Sequence, residues 1–178
     1  LYRLLVRIGF YNQILISGTS KYTPKHYETP TMLGKKWQID VKYVPNECKA
    51  RSLPDDKRYY QYTCIDEATR ERFLYWYEEH TPANTVDFIK RCIEYYGYKP
   101  EEIQTDNGTE FTYNKEQIKV IHPMDEYCIK EGIYHHKIRP RTPRHNGKVE
   151  RSHRNDNERF YSFLTFYSLE DLINQGKR

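Results

Sequence analysis

The sequence predicts an α/β domain, a five-stranded mixed sheet with helices on both faces. Three observations carry this. In WQIDVKYV, Trp37, Ile39, Val41 and Tyr43 alternate with Gln38, Asp40 and Lys42, the period-two pattern of a strand with one apolar face. Two further strand-like runs follow over short links, which favours an antiparallel meander. Beyond them helical and strand patterns alternate, and strands joined through helices give a mixed sheet covered on both sides.

Taken in order, residues 1–17 carry Leu4, Leu5, Ile8 and Ile14 at roughly helical spacing, interrupted by Gly9. Gly18 to Gly34 is polar, with Pro24 and Pro30, and reads as a linker. The expected organisation is an N-terminal arm and linker over 1–35 and one core domain over 36–178. After the first strand, Asn46 to Lys57 is a polar loop, YYQYTCID (Tyr59–Asp66) a second strand, and Phe73–Tyr77 a third. Thr81 is a good N-cap for a helix over Pro82–Tyr96, where Val86, Ile89, Ile93 and Tyr96 share a face and Gly97 supplies the stop. Ile103–Thr105 is a short fourth strand, closed by the Asp106-Asn107-Gly108 turn signal. Glu126–Lys130 is expected to be helical, and Ile133–Ile138 to be a short buried strand. A long helix is expected from about Pro143–Lys148 to Phe163, then a short one from its N-cap Ser168 through Asn174.

At 178 residues the chain is long enough for one domain with a real core. Apolar residues make up only 37%, but 18 tyrosines restore part of the burial, which argues against a disordered chain. No apolar run reaches membrane-spanning length. Cys48, Cys64, Cys92 and Cys128 lack zinc-site spacing and read as buried free thiols. The abrupt opening LYRLLVRIGF reads as a piece of a longer protein.

Charge is unevenly spread. Lys137 to Arg154 holds seven Lys/Arg and one acid, Glu150, a net +6 against +4 for the whole chain. A concentrated cationic stretch implies a polyanionic partner, most simply a nucleic acid backbone. Glu150 within it is either one half of an i,i+4 ion pair with Arg154 or a metal ligand where phosphates are handled. Asp40 in mid-strand, a place where Asp is depleted, is either solvated or functional. Asp106 stands just past the fourth strand, where it can serve as the first residue of a turn. If the three converge they repel one another, and hard divalent cations, Mg²⁺ or Mn²⁺, can relieve this. Two such ions about 4 Å apart suit an in-line phosphoryl displacement.

WQIDVKYV, IQTDNGTEF and IRPRTPRHNGKVERSHR, in that order, resemble the integrase core of DDE transposases, near the bacterial insertion-sequence 3 and 481 groups, with retroviral integrases as more distant relatives. The resemblance covers about Lys36 to Phe160. It implies an RNase H-like fold, with Asp40, Asp106 and Glu150 matching a catalytic, metal-binding triad served by two Mg²⁺ or Mn²⁺ ions. The implied activity is cleavage of DNA 3′ ends and transfer of the freed hydroxyl to a target strand. Lys148 matches a position that contacts DNA near the cleaved phosphate, and Asn107, Gly108, His145, Asn146 and Gly147 match as well. DNA contact is expected from Lys148, Arg151, Arg154, Arg139, Arg141, Arg144, His145, Asn146 and Asn107. The implied partners are transposon ends and target DNA, with a homodimer or higher oligomer on DNA and no membrane. The implied setting is the bacterial cytoplasm at the nucleoid.

Two features depart from the family pattern. Forty-three residues separate Asp106 from Glu150, a longer interval than usual, with the excess expected in Thr112–Met124. Arg141 and Arg144 stand where relatives often carry Gly and Gln. A helix-turn-helix for recognising element ends is expected outside this fragment. Other readings of the same residues are an inactive or domesticated DNA-binding module and an RNase H-like nuclease. Glu110 reads as structural or as a support behind the acids, and Asp66, at a strand end near the site, as a turn residue. His135 and His136, adjacent on a strand, point to opposite faces and cannot share one ion.

Overall fold

A computed structural model describes residues 28–113, 120–138 and 147–177. The expected arm and most of the linker lie outside these residues, as does the expected start of the long helix before Gly147. Strands β1 (Lys36–Tyr43), β2 (Tyr60–Asp66) and β3 (Arg72–Tyr77) form the meander, antiparallel throughout. Helix α1 (Pro82–Tyr96) then crosses over and returns the chain as β4 (Glu102–Thr105), parallel to β1. Helix α2 (Pro123–Glu131) makes a second crossover to β5 (Tyr134–Lys137), parallel to β4. The strand order is β3-β2-β1-β4-β5, so β1 is central and β4 lies beside it.

Local chemistry sets the boundaries. Thr81 caps α1 by accepting a hydrogen bond from the Asn84 amide, Pro82 occupies the first turn, and Gly97 ends the helix at φ 75°, where a side chain would be strained. His122, buried, caps α2 by accepting the Met124 amide on Nδ1 at 3.2 Å. Asp66 closes the β2–β3 turn by accepting the Ala68 and Thr69 amides, and it also anchors Gly34, Trp37 and Tyr98.

The alternation along β1 sorts the two faces. Trp37 and Ile39 are fully buried against Tyr62, Phe88, Ile89 and Ile103 beneath α1 and α2. The other face, carrying Gln38, Asp40 and Lys42, lies under α3 (Gly147–Arg159), while α4 (Leu169–Gly176) packs over β3. A second core of Val44, Tyr59, Trp76, Leu164, Phe166 and Leu172 fills that side of the sheet. All four cysteines are buried free thiols. Among the described residues no helix is long and apolar enough to cross a membrane.

Two expectations need correction. The helix expected to reach Phe163 stops at Arg159, and Tyr161–Phe163 forms a separate 3-10 turn. The chain bends there so that Tyr161 can bury its ring, accept the Trp76 indole N–H at 2.7 Å and donate to Gln61. The stretch Ile133–Ile138, expected as a buried strand, is an edge strand of four residues with Tyr134 exposed. Among the described residues it pairs only with β4, which makes it an edge strand.

Candidate active site

Asp40 and Asp106 meet because β1 and β4 are parallel neighbours. Gln38 pairs with Gln104. Asp106 follows directly on the end of β4, two residues beyond Gln104 as Asp40 is two beyond Gln38, and its charge acts on Asp40. Asp40 Oδ1 accepts the Val41 amide at 3.0 Å, and Asp106 Oδ1 accepts the Gly108 amide at 2.9 Å. The turn after β4 is pinned to the end of β5, since Asn107 Nδ2 donates to the Ile138 carbonyl at 2.7 Å. Asn107 is therefore engaged with backbone. Gly108 leaves room for Glu110: a Cβ there would lie 2.6 Å from the Glu110 carboxylate.

Helix α3 brings the third acid. It buries Val149, Ser152 and Asp156 and turns two different flanks outward from that seam. Glu150, His153 and Asn157 share the flank over β1, where Lys42 Nζ donates to Asn157 Oδ1 at 2.8 Å and His153 Nδ1 lies 3.6 Å from Asp40 Oδ2. Glu150 itself is exposed. No ion pair between Glu150 and Arg154 is recorded among the described residues, in contrast to the i,i+4 alternative.

The electrostatics of this corner are unfavourable to charge. Burial pushes the Asp40 carboxyl from 3.8 up to about 7, with the facing charges of Asp106, Glu150 and Glu110 adding to it and the Val41 amide opposing. Burial and the Asp106 charge also raise Glu110. The nearby imidazole does not compensate. Burial, with Lys42 and Arg72 adding, pushes His153 down to about 4, so it is neutral near pH 7 and its 3.6 Å contact with Asp40 is not an ion pair. Among the described residues the charged groups acting on Asp40 are thus carboxylates, oxygen chemistry that fits a hard cation. As placed, no three His, Cys, Asp or Glu side chains among the described residues stand close enough to enclose an ion.

A half-buried chain of polar contacts supports the Asp106 side. Lys137 and His135 both contact the Asp125 carboxylate at 2.6 Å, His135 Nε2 meets Thr105 Oγ1 at 2.8 Å, and the Thr105 hydroxyl donates to the Asp106 carbonyl at 2.9 Å. His136 faces the other way and meets Glu102, so the two histidines point to opposite faces.

The expected DNA-contact residues divide into three groups. Arg151 and Arg154 are exposed on α3. Lys148 instead reaches the fully buried Glu67 at 2.6 Å, and Gln38 also donates to Glu67. Arg139, Arg141, Arg144, His145 and Asn146 lie outside the described residues. Sequence reading missed Glu67, which stands in a tight turn where an acid ordinarily faces water. It also missed His153, although its i,i+3 spacing from Glu150 puts both on one helix face. Asp66 stands three residues down the strand from the Asp40 level, roughly 10 Å away, and is a structural anchor.

The family model described as the integrase core domain matches residues 30–143, which include Asp40 and Asp106 and stop short of Glu150. A protein named putative integrase ORF3, of Spiroplasma virus SpV1-C74, is 33% identical over 150 residues, covering 77% of this chain and 40% of its own length. The retrovirus-related Pol polyprotein from transposon TNT 1-94 of Nicotiana tabacum is 32% identical over 112 residues, covering 62% of this chain and 8% of its own length. This chain therefore spans less than half the length of either relative. Among solved structures, the HTLV-2 integrase catalytic core domain in complex with magnesium, a trimeric form, superposes with a TM-score of 0.55 at 22% identity, covering 80% of this chain and 81% of that one. The five-stranded mixed sheet with helices on both faces is the RNase H-like fold of those cores, and with the family model matching well over half of its residues the chain belongs to the integrase core domain family.

Proposed function

We propose that this domain is the catalytic core of a DNA integrase or transposase, a polynucleotidyl transferase that cleaves DNA 3′ ends and joins them to a target strand. The observation that carries the reading is the Asp40 carboxyl, buried and crowded by the charges of Asp106, Glu150 and Glu110, in a chain of the integrase core family. Asp40, Asp106 and Glu150 would hold Mg²⁺ or Mn²⁺. When bound, such ions lower the pKa of an attacking water or hydroxyl and offset the charge that develops on the leaving oxygen. The protein's own part is to fix two carboxylates through the sheet and to offer a third from α3. Its cations would hold the phosphodiester: Arg154 and the run containing Arg139, Arg141, Arg144, His145 and Asn146 border Glu150 in sequence, while Arg151, on the other flank of α3, would meet DNA farther from the acids. Lys148 would reach DNA only by leaving Glu67, and Asn107 would serve chiefly by tying the Asp106 turn to β5.

The proposal extends to a homodimer or higher oligomer gripping two DNA ends, and to a cytoplasmic, nucleoid-associated site of action in a bacterium. Oligonucleotide cleavage and joining with Mg²⁺ or Mn²⁺ tests the chemistry, run on a chain that includes this domain. Asp40→Asn, Asp106→Asn and Glu150→Gln should each abolish both steps while circular dichroism stays unchanged. Full activity in any one of them removes that residue from the mechanism.

A further inference from the structure

The second flank of α3 borders a cavity of about 740 Å³, shared with the β2–β3 turn and β3. Arg70, Arg72, Lys148, Arg151 and Arg159 line it against one acid, Asp156. Two of these cations are committed internally: Arg72 pairs with Asp156 at 2.6 Å and Lys148 with Glu67 at 2.6 Å. Arg70, Arg151 and Arg159 are exposed and meet no carboxylate among the described residues. Glu150, His153 and Asn157 occupy the opposite flank over β1, so the thickness of the helix separates this groove from the acid centre.

Backbone conformation adds a second observation. Arg70 has φ 66°, the only positive φ outside glycine among the described residues. Gly or Asn suits that position better, because a long side chain there crowds its own backbone. Keeping Arg gives up backbone energy and sets a guanidinium at the groove mouth. Spacing is the third. Arg151 and Arg159 are eight residues apart on one helix, roughly 12 Å along its axis. That spans between three and four phosphates of one duplex strand at about 3.4 Å per step.

We infer that Arg70, Arg151 and Arg159 form a backbone-binding groove for a DNA segment on the side of α3 away from the acids, so that one helix separates the chemistry from a second phosphate track. The inference rests on the proposed DNA-handling role for the identity of the polyanion. Guanidinium forks suit phosphate oxygens, and the acid lining the groove, Asp156, is buried and already paired with Arg72, so the exposed guanidinium groups set the contact.

The test is the salt dependence of binding to a random-sequence DNA duplex, read by fluorescence anisotropy in the presence of a chelator. Each backbone contact contributes about 0.9 to the slope of log affinity against log salt. The double variant Arg70→Gln/Arg159→Gln should lower that slope by about 1.8, so that between about 50 and about 200 mM salt it loses about 12-fold less affinity than wild type. Arg70→Lys/Arg159→Lys, which keeps both charges, should retain the wild-type slope. An unchanged slope in the Gln pair overturns the groove. So does an unchanged slope accompanied by a changed oligomeric state of the DNA-free protein, which would assign the surface to protein contact. Because no metal is present in the assay, these outcomes stand apart from loss of cleavage in the acid variants, which tests the catalytic reading.

Discussion

Replacing Asp40 with Asn should stabilise the metal-free domain, and by an amount that depends on pH. The carboxyl ionises at about 7 in the fold against an ordinary value of 3.8. Between those values the folded state keeps a proton that the unfolded chain has released, so stability falls as pH rises from about 4 to about 7. At about 1.4 kcal/mol per pH unit the interval corresponds to about 4 kcal/mol, and with the side chain only 17% exposed, water screens little of it. Asn removes the charge and still accepts the Val41 amide. In urea unfolding with a chelator, Asp40→Asn and wild type should be nearly equal at pH 4. At pH 8 the variant should be more stable by several kcal/mol, approaching the figure above. Adding Mn²⁺ at pH 8 should stabilise the wild type and leave the variant unmoved. Parallel stability curves for the two proteins across pH 4 to 8 would refute the idea that this carboxyl sits in an uncompensated, crowded corner.

Two further perturbations probe the frame around the site. Glu67→Ala should cost about 3–5 kcal/mol in urea unfolding, because it removes the buried carboxylate that Lys148 and Gln38 both reach, whereas Glu67→Ala combined with Lys148→Met should recover most of the loss. A lone Glu67→Ala costing under about 1 kcal/mol would show that the pair is not buried as described. His135→Phe should cost about 1–3 kcal/mol by leaving Asp125 and the Thr105 hydroxyl short of a partner, and it should weaken Mn²⁺ binding measured by calorimetry if that chain steadies the Asp106 turn. Unchanged Mn²⁺ affinity in a folded His135→Phe protein would limit the chain to a packing role.

Much of the fold could be read from local chemistry. The alternation in Trp37–Tyr43 sorted the residues of β1 onto two faces, and Thr81, Gly97 and Ser168 stand where helix caps were expected. These features are written within a few neighbouring residues, so they need no tertiary context. The adjacency of Asp40 and Asp106 followed from topology, because two crossover-type connections make β1 central. What escaped depends on distant partners. Glu67 is buried where Lys148 and Gln38, distant in sequence, reach it. Phe160 breaks a helical pattern because Trp76 and Gln61 draw Tyr161 inward. The depressed ionisation of His153 arises from burial and from cations on β1 and β3, none of them near it in sequence. Pairings of this kind are properties of the folded arrangement, and composition or periodicity carries no trace of them.

The parallel register between β1 and β4 has a consequence for how such a domain tolerates change. Strand pairing fixes β1 against β4, and the first two acids stand on or directly after these strands, so the long excursions of chain between them can lengthen or shrink with little effect on that pair. The third acid rides on a helix reached only after a variable interval, and its position answers to how that helix seats on Val149, Ser152 and Asp156. Insertions between Asp106 and Glu150 are therefore absorbed by re-seating one rigid rod, and substitutions along its buried seam, rather than in the sheet, are where the trio as a whole would be brought into or out of tune.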